Sequence, residues 1–243
     1  MSAITMQSGA SAVDGYAGRE GASESWATLI AGAGNTADYT AETGYSMLLQ
    51  STATSGKWQG LRRMVFLFDP APLPTGAIIT GGSLSLYANA TTARNFSSSF
   101  VLTNAPVTAY TSLIAADYAL LHAAPVEHAT ARVTLASLTA GARFSFTLNA
   151  QALVTFNSLY QSGNVFELGM MFDWDFDGVS PTWQSAVTDD ITIMMSEAGS
   201  TKWPILSITY RVGMGHATIA LTGTKASAGD TLTADMWAVE VFT

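Results

Sequence analysis

Asp173, Asp175 and Asp177, followed at once by Gly178, are the residues of this 243-residue chain whose types and spacing most plainly allow chemistry. Acids at alternate positions ending in glycine match the first half of an EF-hand-like calcium loop, where positions one, three and five converge on the ion and Gly permits the tight turn. Position twelve falls on Gln184, which cannot supply the bidentate carboxylate, so Asp189 and Asp190 stand as its substitutes. Backbone geometry sets a condition on this reading. Same-face residues of an extended strand lie roughly 6.6 Å apart, too far for three carboxylates to share one ion at about 2.3–2.6 Å. Calcium at Asp173, Asp175 and Asp177 therefore requires the chain to turn after Phe172. The other reading of the same residues is a solvated acidic strand edge that discourages pairing with a further strand.

Aromatic residues offer a second possibility. Trp58, Trp174, Trp183 and Trp203 with Tyr110 and Tyr118 could form a sugar-stacking platform, with Trp58, next to Lys57 in a loop read over 51–60, and Tyr110 as the glycan contacts. Large aromatics in sandwiches also fill cores, and that reading stands beside it. His122, His128 and His216 are scattered without metal-ligand spacing and read as surface or loop residues. The chain has no cysteine, which removes disulfides, thiolate metal sites and cysteine nucleophiles together. It has neither a Gly-x-Ser-x-Gly elbow nor a phosphate-binding glycine loop, and no carboxylate pair is marked out for hydrolysis, so no enzyme activity is expected.

The elements that must position these residues are mostly strands. From Val165 to Gly178, Phe166, Leu168, Met170, Phe172, Trp174 and Phe176 recur at every second position and Glu167, Asp173, Asp175 and Asp177 fall between them. That period of two predicts a strand with one apolar and one anionic face. A helix precedes it between Asn149 and Gly163, with Asn149 as N-cap, Leu153, Phe156 and Tyr160 on one face, and Gly163 as C-cap. A shorter helix is expected within Leu113 to Ala124, ended by Pro125. Strands are expected at Ile4–Met6, Val13–Ala17, Trp26–Ile30, Tyr45–Gln50, Leu61–Asp69, Ile78–Tyr87, Ser97–Val107, Arg132–Leu138, Arg143–Leu148, Ile191–Met195 and Ile205–Tyr210. Many short strands between Gly and Pro turns predict an all-β chain: a β-sandwich or jelly roll with one or two short helices and a small C-terminal β extension. Its expected parts are an N-terminal arm over 1–12, the sandwich over 13–212, and a hairpin or arm over 213–243.

Composition narrows the partners. Ten Lys and Arg against eighteen Asp and Glu give a net charge of −8, and the only adjacent basic pair is Arg62-Arg63, so nucleic-acid binding is not expected. A cationic partner or a divalent metal such as calcium suits this field better. Charged residues make up only 12% of the chain, and a surface hydrated by hydroxyls favours association between subunits; a homo-oligomer, and specifically a trimer, is expected. No apolar run approaches the roughly 18 residues of a membrane span, and the amino terminus has no basic and apolar signal-peptide pattern.

Several phrases occur in the order found in DNRLRE-type domains. Val13-Asp14-Gly15-Tyr16 resembles that family's opening, and Arg62-Arg63-Met64-Val65-Phe66-Leu67-Phe68-Asp69 with Leu73-Pro74-Thr75-Gly76-Ala77-Ile78-Ile79 resembles its longest segment. Leu84-Ser85-Leu86-Tyr87, the strand and helix over Phe144 to Gly163, Ser196-Glu197-Ala198, and Trp203-Pro204-Ile205-Leu206-Ser207-Ile208-Thr209-Tyr210 are similar to the family's later segments. The resemblance spans about residues 10 to 211 and implies a carbohydrate-binding-like jelly roll. The expected function is a non-enzymatic structural subunit of a bacteriophage-like virion, a capsid decoration, head-fibre or tail-associated protein made in the host cytoplasm and carried in the particle. Its partners would be its own copies and other virion proteins. The alternative is a carbohydrate-binding module or adhesin, assisted by calcium, that contacts a surface glycan.

Overall fold

The computed structural model describes residues 1–7, 13–40, 44–93, 95–196 and 201–212. Twelve strands and four short helices follow one another through these residues. β1 (Ser2–Gln7) and β2 (Asp14–Glu24) lead into α1 (Trp26–Ala31), then β3 (Thr36–Asp38), β4 (Tyr45–Ser51), β5 (Trp58–Phe68), β6 (Ala77–Ala93) and β7 (Ser99–Thr103). After α2 (Asp117–Ala123) come β8 (Val133–Thr134), β9 (Ala142–Thr147), α3 (Ala150–Gln161), β10 (Phe166–Phe172), α4 (Asp173–Phe176), β11 (Thr188–Ile193) and β12 (Ile205–Val212). The chain is all-β, as its turn-punctuated alternation predicts.

The strands form one curled antiparallel sheet in the order β1-β12-β6-β11-β4-β5-β10-β7-β8, with β2 beside β5, β3 beside β2 and β9 beside β6. Two long strands let it fold over. β5 has β4 against Trp58–Leu61 and β10 against Met64–Phe68, while β2 runs along most of its length. β6 lies between β12 and β9 over Ser83–Ser85 and against β11 from Ala88 to Ala93. Register shifts interrupt the β6/β11, β6/β12, β2/β5 and β4/β5 ladders. Each such irregularity increases local twist, which is how one sheet folds over into a sandwich. The enclosed core includes Met47, Leu49, Phe66, Phe68, Leu84, Leu86, Phe100, Phe166, Leu168 and Ile208, all fully buried.

Local signals explain most elements and also the differences from expectation. α3 has Asn149 as its N-cap, accepting from the Ala152 amide, and lays Phe156 on Phe166 with ring centroids 4.5 Å apart. Trp26 to Ile30 is a helix rather than a strand: Ser25 caps it by accepting from Thr28 N, and Trp26, Leu29 and Ile30 at i, i+3 and i+4 face inward. β10 stops at Phe172, so the strand expected through Gly178 is half that length. Its two faces are both buried from Leu168 to Phe172, the state of a central strand, in place of one apolar and one anionic face. Trp58 opens β5 inside the core instead of standing in an exposed loop.

The expected N-terminal arm divides. Its first part is β1, paired with β12 from Ser2 opposite Tyr210 to Gln7 opposite Ile205, and residues 8–12 lie outside the described residues. The extension expected over 213–243 also lies outside them.

Candidate functional site

The turn that a calcium loop demands is present. Phe172 is still extended, Asp173 begins one helical turn, and Gly178 at φ 67° ends it, with Asp177 N donating to Asp173 O and Val179 N to Trp174 O. A positive φ favours glycine here because it has no Cβ to clash. The turn sends the three carboxylates to three different partners. Asp173 Oδ1 accepts from the Ser99 and Trp174 amides, both at 3.0 Å. Asp175 turns inward to Arg63, and Asp177 faces outward to Arg132 at 2.6 and 2.9 Å. Gln184 donates to Asn95 O, and Asp189 is fully buried, accepting from the Asn95 and Phe96 amides and at 2.6 Å from Ser98 Oγ. Among the described residues no three His, Asp or Glu side chains are grouped so as to hold a metal ion.

Asp175 is the anchor of a buried polar hub. Arg63, 0% exposed on β5, grips it bidentately, Nε to Oδ2 and Nη2 to Oδ1, both at 2.7 Å. The remaining guanidinium donors go to Ile30 O at 2.8 Å and to Tyr118 O, so one side chain ties α1, α2 and α4 to the sheet. Its planar face lies 3.8 Å from the centre of the Tyr118 ring, and the Tyr118 hydroxyl donates to Leu29 O at 2.9 Å. Gly34 permits the close approach of α2: a Cβ there would sit 2.1 Å from Ala115 O.

The electrostatics follow from this packing. Burial pushes the Asp175 carboxyl upward, but the Arg63 guanidinium outweighs it and holds Asp175 below its ordinary range, ionised. Burial likewise pushes the Tyr118 phenol well up, keeping it neutral. His122 Nδ1 lies 3.2 Å from Asp175 Oδ1 and, behind Arg63, adds to the lowering of the Asp175 carboxyl. With its side chain 23% exposed, His122 is the member of the hub that reaches solvent.

Outside the hub, Arg132 bridges Asp177 and Glu127 and lies 5.2 Å from the Phe176 ring. The Arg132 hydrogen bond holds the Asp177 carboxyl below its usual range, and burial pushes Asp173 up. Asp117 is another buried acid in a structural role, accepting from the Thr108 amide and hydroxyl and from Ile114 N. Asp14 accepts from the amide and hydroxyl of Ser196.

The aromatic residues separate. Trp58 is 1% exposed, its ring 5.1 Å from Trp26 and 5.2 Å from Phe96, so it offers no face to a sugar. Tyr110 is 37% exposed, its phenol pushed up by the neighbouring Glu167, whose own carboxyl burial pushes up. His128 is not a surface residue: it is fully buried beside Phe156, and neither ring nitrogen has a hydrogen-bond partner. Desolvation lowers its pKa to about 4. His216 lies outside the described residues.

No family model and no curated protein matches the chain. The likeness to DNRLRE-type domains rests on its ordered phrases alone.

Sequence reading passed over the Arg63 hub, although one signal for it was present. An arginine inside the apolar run Leu61 to Phe68 must find a carboxylate, because a buried guanidinium is tolerated only when paired. The partner lies 112 residues further along the chain, beyond any local pattern.

Proposed function

We propose that the chain is a non-enzymatic structural subunit of a bacteriophage-like virion, assembling through its β-sandwich and the segments at 1–12 and 213–243. One observation carries the reading: the fully buried carboxylates are spent on holding the fold. Asp175 clamps three helices through Arg63, and Asp117, Asp189 and Asp14 fasten loops through amides and hydroxyls. A sparsely charged subunit whose edge strand β1 is paired on one side only among the described residues is suited to close packing among copies. Among the described residues no helix is long and apolar enough to cross a membrane.

Light scattering on the full chain and on a form lacking residues 213–243 tests the reading. An oligomer that weakens on deletion supports it, as does recovery of the chain with sedimenting particles from its source. A strict monomer, unchanged by the deletion, counts against it. Binding on a glycan array, read with and without calcium, would favour the carbohydrate-binding alternative instead.

A further inference from the structure

β1 ends the described sheet on one side, as the two-residue β8 does on the other and the three-residue β3 and Arg143-bearing β9 do on its branches. β12 pairs with one edge of β1, and no described strand pairs with the other. An open edge presents unpaired backbone N–H and C=O groups to any strand of matching shape, and proteins commonly blunt such edges with Lys, Pro, bulges or very short strands. β1 carries none of these devices. Its sequence, Ser-Ala-Ile-Thr-Met-Gln, is six residues long and uncharged, has no Pro, and pairs with β12 without a register shift. Ala3 and Thr5 are exposed on the outer face; on the inner face Met6 is buried, but Ile4 is only half-buried against the core. A strand laid along β1 would continue the sheet and cover Ile4.

We propose that this strand is β1 of a second copy, antiparallel and related by a two-fold axis, so that one sheet runs through the dimer. The proposal rests on the reading of the chain as an assembling subunit and names the seam. Antiparallel pairing of identical strands is self-complementary, as a two-fold interface requires. Facing residues of an antiparallel pair share a side of the sheet, which leaves two central registers: Ile4 opposite its own copy with Ala3 opposite Thr5, or Thr5 opposite its own copy with Ile4 opposite Met6. Both keep Ile4 and Met6 inward and Ala3 and Thr5 outward. The seam also lets two chains of net charge −8 meet along residues that carry none of that charge. It is short against the roughly 1,600 Å² of a standard interface, so assembly is expected to depend on concentration.

The chain's lack of cysteine makes the test direct. The full-length double variant Ala3→Cys/Thr5→Cys places thiols to meet in either register, and mild oxidation is expected to give a disulfide-linked dimer. Val154→Cys, exposed on α3, serves as the control and is expected to stay single. Light scattering over a concentration series is expected to reach two copies for the native chain and one for Ala3→Lys/Thr5→Lys, with both melting at the same temperature in dilute solution, where the native chain is single. A native mass of three copies, an assembly untouched by the lysines, or equal cross-linking at Val154→Cys overturns the β1 seam and leaves the structural-subunit reading standing. A native chain that stays single at every concentration overturns both.

Discussion

Replacing His128 with leucine is expected to stabilise the protein, and more so in acid. The imidazole is fully buried beside Phe156, with neither nitrogen hydrogen-bonded. At pH 7 the buried, unsatisfied polar atoms alone destabilise by about 1–3 kcal/mol, and leucine of similar volume removes them. Acid adds a second term. The pKa falls from 6.5 to about 4 on folding, so the unfolded chain takes up the proton first. Stability linked to His128 is therefore complete above pH 6.5 and is lost as pH falls from 6.5 through about 4. At roughly 1.36 kcal/mol per pH unit the full loss is about 3 kcal/mol, of which about 2 is already felt at pH 5. Urea denaturation of the native chain and His128→Leu at pH 7 and pH 5, both above the isoelectric point near 4.6, measures it. The advantage of the variant should widen by about 2 kcal/mol at pH 5. Parallel pH profiles, or a variant weaker than the native chain at pH 7, would refute the account of a buried, unpartnered imidazole.

The charge contacts set three further outcomes. Arg63→Met strands the buried Asp175 carboxylate and should destabilise by about 3–5 kcal/mol in urea titrations, whereas Arg63→Met/Asp175→Leu should recover most of that loss, since an apolar pair leaves no unpaired charge. Arg132→Ala removes a partly exposed pair with Asp177 and Glu127 and should cost about 1 kcal/mol or less, with the difference shrinking as salt is added. Calcium at millimolar concentration should leave the melting temperature unchanged, because Asp173, Asp175 and Asp177 each have a separate protein partner; a calcium-dependent rise abolished by Asp175→Ala would refute that expectation and favour a metal at these carboxylates.

What could be read in the sequence depended on the range over which each residue finds its partner. Asn149 caps α3 from three residues away, and the strands Tyr45–Ser51 and Ala142–Thr147 carry their own alternation, so local pattern was enough. α1 has only six residues, too few for a period to outweigh the strand-forming look of Trp-Ala-Thr-Leu-Ile; its helical state depends on the Ser25 cap and on Leu29 and Ile30 packing inward. The misreading of β10 beyond Phe172 has a different origin. The alternation of aromatic and acidic residues really does continue to Asp177, and a period of two means a strand only while neighbouring strands accept it. At Asp173 the chain instead meets the Ser99 amide, and at Asp175 it meets Arg63, a charge already committed to the core by β5.

That order of commitment explains why the acidic run turns inward. Arg63 sits in the middle of the β5 ladder, with Met64 to Phe68 against β10 and Leu61 against β4, so the strand cannot rotate its guanidinium to water without shifting every neighbour to the wrong face. The carboxylate is the movable partner. One helical turn after Phe172 brings Asp175 to Arg63 and leaves Asp177 at the surface for Arg132, which a continued strand could not do because Asp175 and Asp177 would share one face. The spacing that resembles half a calcium loop is thus also the spacing that lets one short turn serve an inner and an outer arginine.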